Sequence, residues 1–118
     1  MVGACISDIP TPALLADLDA VDHNVAEISR SLRRKRARLR PHFKNHTVVA
    51  LAKRQVEAGA LGMTVAHLRH AELLLKEGIP SVLVSNEFAN GSEIQAFVEL
   101  AAFAGAHGQE LIGVVDLW

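Results

Sequence analysis

Thiol chemistry is almost absent from these 118 residues, which contain one cysteine, Cys5. A single thiol excludes an internal disulfide framework and fits a reducing compartment. No basic residue lies close to Cys5 in sequence, so a catalytic thiol would lack the cation that activates it. Excess charge of one sign is missing too: 12 Lys+Arg stand against 13 Asp+Glu, a formal net charge of -1. That balance argues against a dedicated nucleic-acid binder or a polyanion partner. No apolar run reaches the ~18 residues a membrane span needs. Residues 1–10 lack the basic and hydrophobic regions of a secretory signal. The expectation is a soluble cytoplasmic protein with neither nucleic-acid nor membrane partners. There is no G-x-G-x-x-G and no phosphate-binding P-loop, and Ser, His and Asp occur without a nucleophile elbow.

Half of the residues are hydrophobic, enough for one small domain with a real core. Residues 1–12 form an irregular lead-in, kept extended by Pro10 and Pro12. Residues 13–18 read as a short, largely buried strand. Asp19 is the expected N-cap of the following helix, with Asp22 in its first turn and Val21, Val25, Ile28 and Leu32 as its apolar stripe. The basic run 33–40 contains no aromatic residue and reads as cations facing water at a helix C-terminus. A strand is expected over 39–43 and a helix over 47–58 with Val49, Ala52 and Val56 inside. Strand 61–65, helix 67–77, strand 81–85, a long helix from Asn90 and strand 111–115 follow. Leu68, Ala71, Leu74 and Leu75 form the inner face of one helix, and Ile94, Phe97, Val98 and Ala101 that of the other.

Helix, glycine, strand recurs at Gly59, Gly78 and Gly108, with no hairpin signal between strands. Alternation of this kind implies parallel pairing with right-handed crossovers, an α/β fold. In such folds the loops after the strands carry chemistry, because every strand C-terminus opens on one side. Those loops are 44–46, 64–67, Ser85-Asn86-Glu87 and Asp116. Together they bring a lysine, hydroxyls, an amide and carboxylates to one face. His67 and His70, three apart on a helix, could share a metal ion, but no cysteine or clear carboxylate completes a set. No metal site is expected.

The segment Arg40-Pro41-His42-Phe43-Lys44-Asn45-His46-Thr47 crowds one lysine between two histidines where a strand gives way to a helix. It reads either as a basic surface loop or as a site where a lysine forms an imine with an aldehyde cofactor. Imine formation needs a neutral amine, and nearby positive charge and partial burial both disfavour an ammonium.

Asp8-Ile9-Pro10-Thr11-Pro12-Ala13 and Asp17-Leu18-Asp19-Ala20 resemble the opening of the D-threonine aldolase and D-serine dehydratase family. Arg40-Pro41-His42-Phe43-Lys44-Asn45-His46 is similar to that family's R-P-H-x-K-T-H signature. Gly62-Met63-Thr64-Val65-Ala66, Glu72 and Asn86-Glu87 follow in the expected places, so the resemblance runs from about residue 8 to about residue 100. It implies a fold-type III pyridoxal-phosphate enzyme with an alanine racemase-type β/α barrel. Lys44 is then the residue that carries the cofactor as an imine, with His42 and Thr64 as its neighbours. The implied reaction is lysis of a small D-configured β-hydroxy amino acid, by retro-aldol cleavage or by loss of water and ammonia. Racemisation by the same fold type is the alternative reaction, and a non-catalytic, oligomerising cofactor-binding fragment is the alternative of another class.

Two positions depart from the family's pattern: Asn45 where threonine is usual, and Val48 where a second lysine is common. Length departs further. A complete β/α barrel takes roughly 250 residues, and the expectation here is a partial barrel of about four strands, the N-terminal part of such a domain. The resemblance places the phosphate-binding segment and the divalent-metal ligands of the family outside this sequence. Two open sheet edges would favour self-association, so a homo-oligomer is expected.

Overall fold

The structure is a computed structural model describing residues 5–116; residues 1–4 of the expected lead-in, and 117–118, lie outside the described residues. Helices α1 (Leu18–Leu32), α2 (Val49–Glu57), α3 (Leu68–Lys76) and α4 (Gly91–Ala106) alternate with strands β1 (Met63–Val65), β2 (Ser81–Val84) and β3 (Glu110–Ile112). The strands form one parallel sheet in the order β1-β2-β3. Each crossover passes through a helix, as the alternation requires. The fold is α/β.

Period-two alternation divides the sheet into two faces. Met63, Val65, Val82 and Val84 turn to the helices and are fully buried with Ala52, Ala71, Leu74, Leu75 and Ala104. The partners Thr64, Leu83 and Ile112 form a row on the opposite, open face. Helices α2 and α3 bury the residues their spacing foretold: Ala52, with Val49 and Val56 against the core, then Ala71, Leu74 and Leu75 with Leu68 beside them. Gly59, Gly78 and Gly108 follow their helices at φ 108°, 86° and 68°, the left-handed stop that glycine adopts without a Cβ penalty.

Several expectations change, among them the last strand, which ends at Ile112 and not at residue 115. Residues 13–18 form no strand; Leu14 is 98% exposed. An apolar run gains strand stability only from a ladder partner and a covered face, and this run has neither among the described residues. Asp17, at its end, is drawn into the next helix: its carboxylate accepts the Asp19 and Ala20 N–H groups at 3.0 and 3.1 Å, so Asp17 rather than Asp19 is the N-cap. Residues 39–43 contribute a single parallel bridge, His42 to Thr64. The sheet therefore has three strands among the described residues, plus that bridge, and not about four. Pro41 has no N–H and cannot continue a ladder. Finally, α4 presents Phe97, Leu100, Phe103 and Ala104 inward, while Ile94 and Val98 are 52% and 54% exposed. Its surface is apolar nearly all round, so periodicity alone does not fix which stripe turns inward.

At Gly62 the backbone runs so close to β2 that a Cβ would lie inside the contact radius of the Ser81 carbonyl oxygen and within 3.0 Å of an Arg40 guanidinium nitrogen. Backbone cannot yield as a flexible side chain can. Gly62→Ala should lower the stability from urea denaturation by about 3 kcal/mol, the upper end of the usual overpacking penalty. Gly91→Ala, whose Cβ meets nothing within 4 Å, should leave the midpoint unchanged or slightly raised.

Candidate functional site

Pro41 ends the short stretch that docks on β1, and the chain then folds into one 3-10 turn, Phe43–Asn45. Two backbone hydrogen bonds fix this stretch to the sheet edge: Leu61 N–H to the Leu39 carbonyl at 2.9 Å and Thr64 N–H to the Pro41 carbonyl at 2.7 Å. Phe43 is 1% exposed and inserts into the core, with the His46 and His70 rings edge-on at centroid distances of 5.5 Å. The next residue, Lys44, is exposed. A buried aromatic beside an exposed amine turns one way into the core and the other way out to solvent.

Both flanking histidines are tied to the backbone. His42 Nδ1 accepts the Lys44 N–H at 3.2 Å, and His46 Nδ1 accepts the Val48 N–H at 3.0 Å. An amide N–H can only donate, so each Nδ1 presents its lone pair and the neutral ring carries its proton on Nε2. His46 Nε2 then donates to Gln55 Oε1 of α2 at 3.3 Å. Between the two anchors Thr47 sits at φ 53°, an uncommon conformation for a β-branched residue. Its N–H donates to the Phe43 carbonyl at 2.8 Å and its hydroxyl to the His46 carbonyl at 2.8 Å, which hold it there.

The bridge to Thr64 extends the open-face row to His42, Thr64, Leu83 and Ile112. Of the expected site residues, His42 and Thr64 are thus direct neighbours, and Lys44 follows His42 at the same end of the sheet. The remaining strand-end loops converge on Glu87 and Phe88. These two residues line a cleft of about 400 Å³ with His67, Arg69 and Asn86, and another of about 600 Å³ with Phe97, Val114 and Asp116. Lys44 lines neither cleft. The Ser85 hydroxyl is occupied, donating to the Val65 carbonyl at 3.1 Å. His67 and His70 lie 5.9 Å apart by ring centroid, but no group of three or more His, Cys, Asp or Glu among the described residues is arranged to hold a metal ion.

Arg40 belongs both to the basic run 33–40, expected to face water, and to the lysine segment, where it stands two residues before His42 and so shares its face. Residues 33–38 are exposed, as cations facing water should be. Arg40 instead lies largely covered, 3.8 Å from the Glu110 carboxylate, which also accepts the Ser81 hydroxyl at 2.5 Å. One of its guanidinium nitrogens is buried without a partner.

The family described as alanine racemase, N-terminal domain, matches residues 16–110. The D-threo-3-hydroxyaspartate dehydratase of Delftia sp. (strain HT23) is 30% identical over 93% of this chain and 33% of its own length. The 3-hydroxy-D-aspartate aldolase of Paracoccus denitrificans (strain Pd 1222) is 30% identical over 89% of this chain and 33% of its own. The D-threonine aldolase from Filomicrobium marinum superposes with a TM-score of 0.78 at 38% identity, over 82% of this chain and 26% of that one. The chain spans about a third of the length of the curated relatives it matches.

Burial, and then the neighbouring Lys44 ammonium, push the His42 imidazole below its ordinary value of 6.5. Burial, Arg69 and His67 push His70 the same way. The unfolded chain therefore takes up protons at these rings before the folded chain does, so stability falls as pH drops through 6.5 and levels off below the folded values. Denaturant midpoints should be lower at acid pH than at neutral pH, and His42→Asn should remove part of that slope. A midpoint that rises on acidification through this window would contradict the burial of these rings.

Proposed function

The chain belongs to the alanine racemase N-terminal domain family, and from that premise we propose that it is the N-terminal part of a pyridoxal-phosphate-dependent lyase acting on D-configured β-hydroxy amino acids. Lys44 is the cofactor-bearing residue in this reading. One observation carries it: an exposed lysine stands on a turn that follows directly from His42, whose bridge partner is Thr64, at the strand-end side of a parallel sheet. The names of the relatives, two aldolases and a dehydratase, support lysis over racemisation.

The residues present fit the aldehyde end of such a cofactor. Pyridoxal phosphate, when bound, supplies a carbonyl for imine formation and a ring that withdraws electron density from the substrate's Cα. Lys44 contributes the amine, and its exposure leaves that amine open to an incoming aldehyde. His42 in its Nε2–H form offers a hydrogen-bond donor on the row that Thr64 shares, while its Nδ1 holds the Lys44 backbone. With its amine neutral and not bonded to the cofactor, Lys44 would be a base able to take a proton. Phe43 anchors the turn, because displacing it would uncover a fully buried aromatic ring.

Treatment with pyridoxal phosphate and borohydride, followed by peptide mapping, should place one pyridoxyl label on Lys44, and Lys44→Arg should abolish it. Labels spread over Lys35, Lys53 and Lys76 with no preference for Lys44 would overturn the assignment.

A further inference from the structure

The two histidines beside Lys44 make the same contact in the same way. Each accepts, through Nδ1, the backbone N–H two residues further on: His42 that of Lys44, and His46 that of Val48. The first contact closes the turn that begins the lysine segment, and the second closes the chain behind it, just after the strained Thr47. Between them only Phe43 is in the core. The lysine turn is thus held by two imidazole-to-amide contacts and by the buried Phe43 ring.

We infer that His42 and His46 are positioning residues that clamp the Lys44 turn through unprotonated Nδ1 atoms, setting the direction in which the amine is presented. This rests on the reading of Lys44 as the cofactor-bearing residue. Other side chains could fill the space of an imidazole, but the clamp needs an acceptor at one position. Asparagine places its amide oxygen where Nδ1 stands, one bond beyond Cγ. Glutamine reaches past that position and leaves the amide N–H unanswered. His46 has a second partner, Gln55 on α2, which orients the ring and ties the clamp to a helix whose Ala52 lies in the core. His42 is held from the other side by its bridge to Thr64. The clamp therefore joins the lysine turn to both the sheet and the helix layer.

The test uses the whole chain and two readouts independent of turnover. Long-range proton–nitrogen correlations of the imidazole rings should show both histidines neutral with the proton on Nε2; a proton on Nδ1 of either overturns the clamp at that residue. Amide exchange at Lys44 and Val48 is then compared among His42→Asn, His42→Gln, His46→Asn and His46→Gln, with the Val82 amide of β2 reporting that each variant is folded. The asparagine variants should keep amide protection and the glutamine variants should lose it. At His46, which has no part in holding the cofactor, the asparagine variant should label Lys44 with pyridoxal phosphate within about twofold of the parent and the glutamine variant about tenfold more slowly. Equal protection in the glutamine variants overturns the clamp. Lost protection with unchanged labelling overturns the positioning role. An unlabelled parent whose two amides are protected removes the cofactor reading instead, and with it any role of the clamp in presenting the amine.

Discussion

A single backbone hydrogen bond, Thr64 N–H to the Pro41 carbonyl at 2.7 Å, sets where the lysine segment lies. Proline's missing N–H prevents residues 39–43 from forming a full strand, but its carbonyl remains a good acceptor, and β1 uses it. The companion bond from Leu61 to Leu39 fixes the register one step earlier. With the register set, His42 pairs with Thr64, Phe43 falls on the buried side, and the turn that carries Lys44 opens at the strand-end side of the sheet. A slip by one residue would exchange these roles, sending the phenyl ring to the open face and a charged or polar side chain into the core.

The open face separates stability from chemistry along the strand direction. Toward the strand N-termini lie Arg40, Gly62, Ser81 and Glu110; the ion pair there joins a covered Arg40 guanidinium to an exposed Glu110 carboxylate, which also accepts the Ser81 hydroxyl. Further along come His42 and Thr64, and then the Lys44 turn. In β/α architectures the first end serves the scaffold and the second the reaction. The Ser81 backbone carbonyl explains why Gly62 must be glycine, since it occupies the space of a Cβ, and the Arg40 guanidinium closes over the same spot. The polar layer and the close strand approach are one arrangement.

Much of this was legible in the residues. Helices α2 and α3, their inward faces and their glycine stops followed from spacing, because each has one apolar and one polar side. Strand β2 followed from an uninterrupted Val-Leu-Val run. The inward stripe of α4 was not readable, since Ile94, Val98, Phe97 and Leu100 are all apolar and only the packing of Phe97 beneath Phe88 selects among them. Residues 13–18 looked like a strand because composition reports burial and not partners. Lys44 stood out through the motif that surrounds it, whereas the backbone contacts of His42 and His46 depend on ring orientation, which no sequence pattern encodes. Arg40 opens the lysine segment and also ends a run of exposed cations, and no sequence pattern marks it as the covered one.

The account stands on the docking of the lysine segment, and that docking can be observed through the bond itself. The scalar coupling between the Thr64 amide nitrogen and the Pro41 carbonyl carbon, read by NMR on isotope-labelled chain, reports the hydrogen bond directly. A resolved coupling, with the Thr64 amide exchanging as slowly as that of Val84 in β2, is the predicted result. No coupling, with Thr64 exchanging as fast as the exposed residues 33–38, would mean that the segment is not docked and that nothing in the sheet places Lys44.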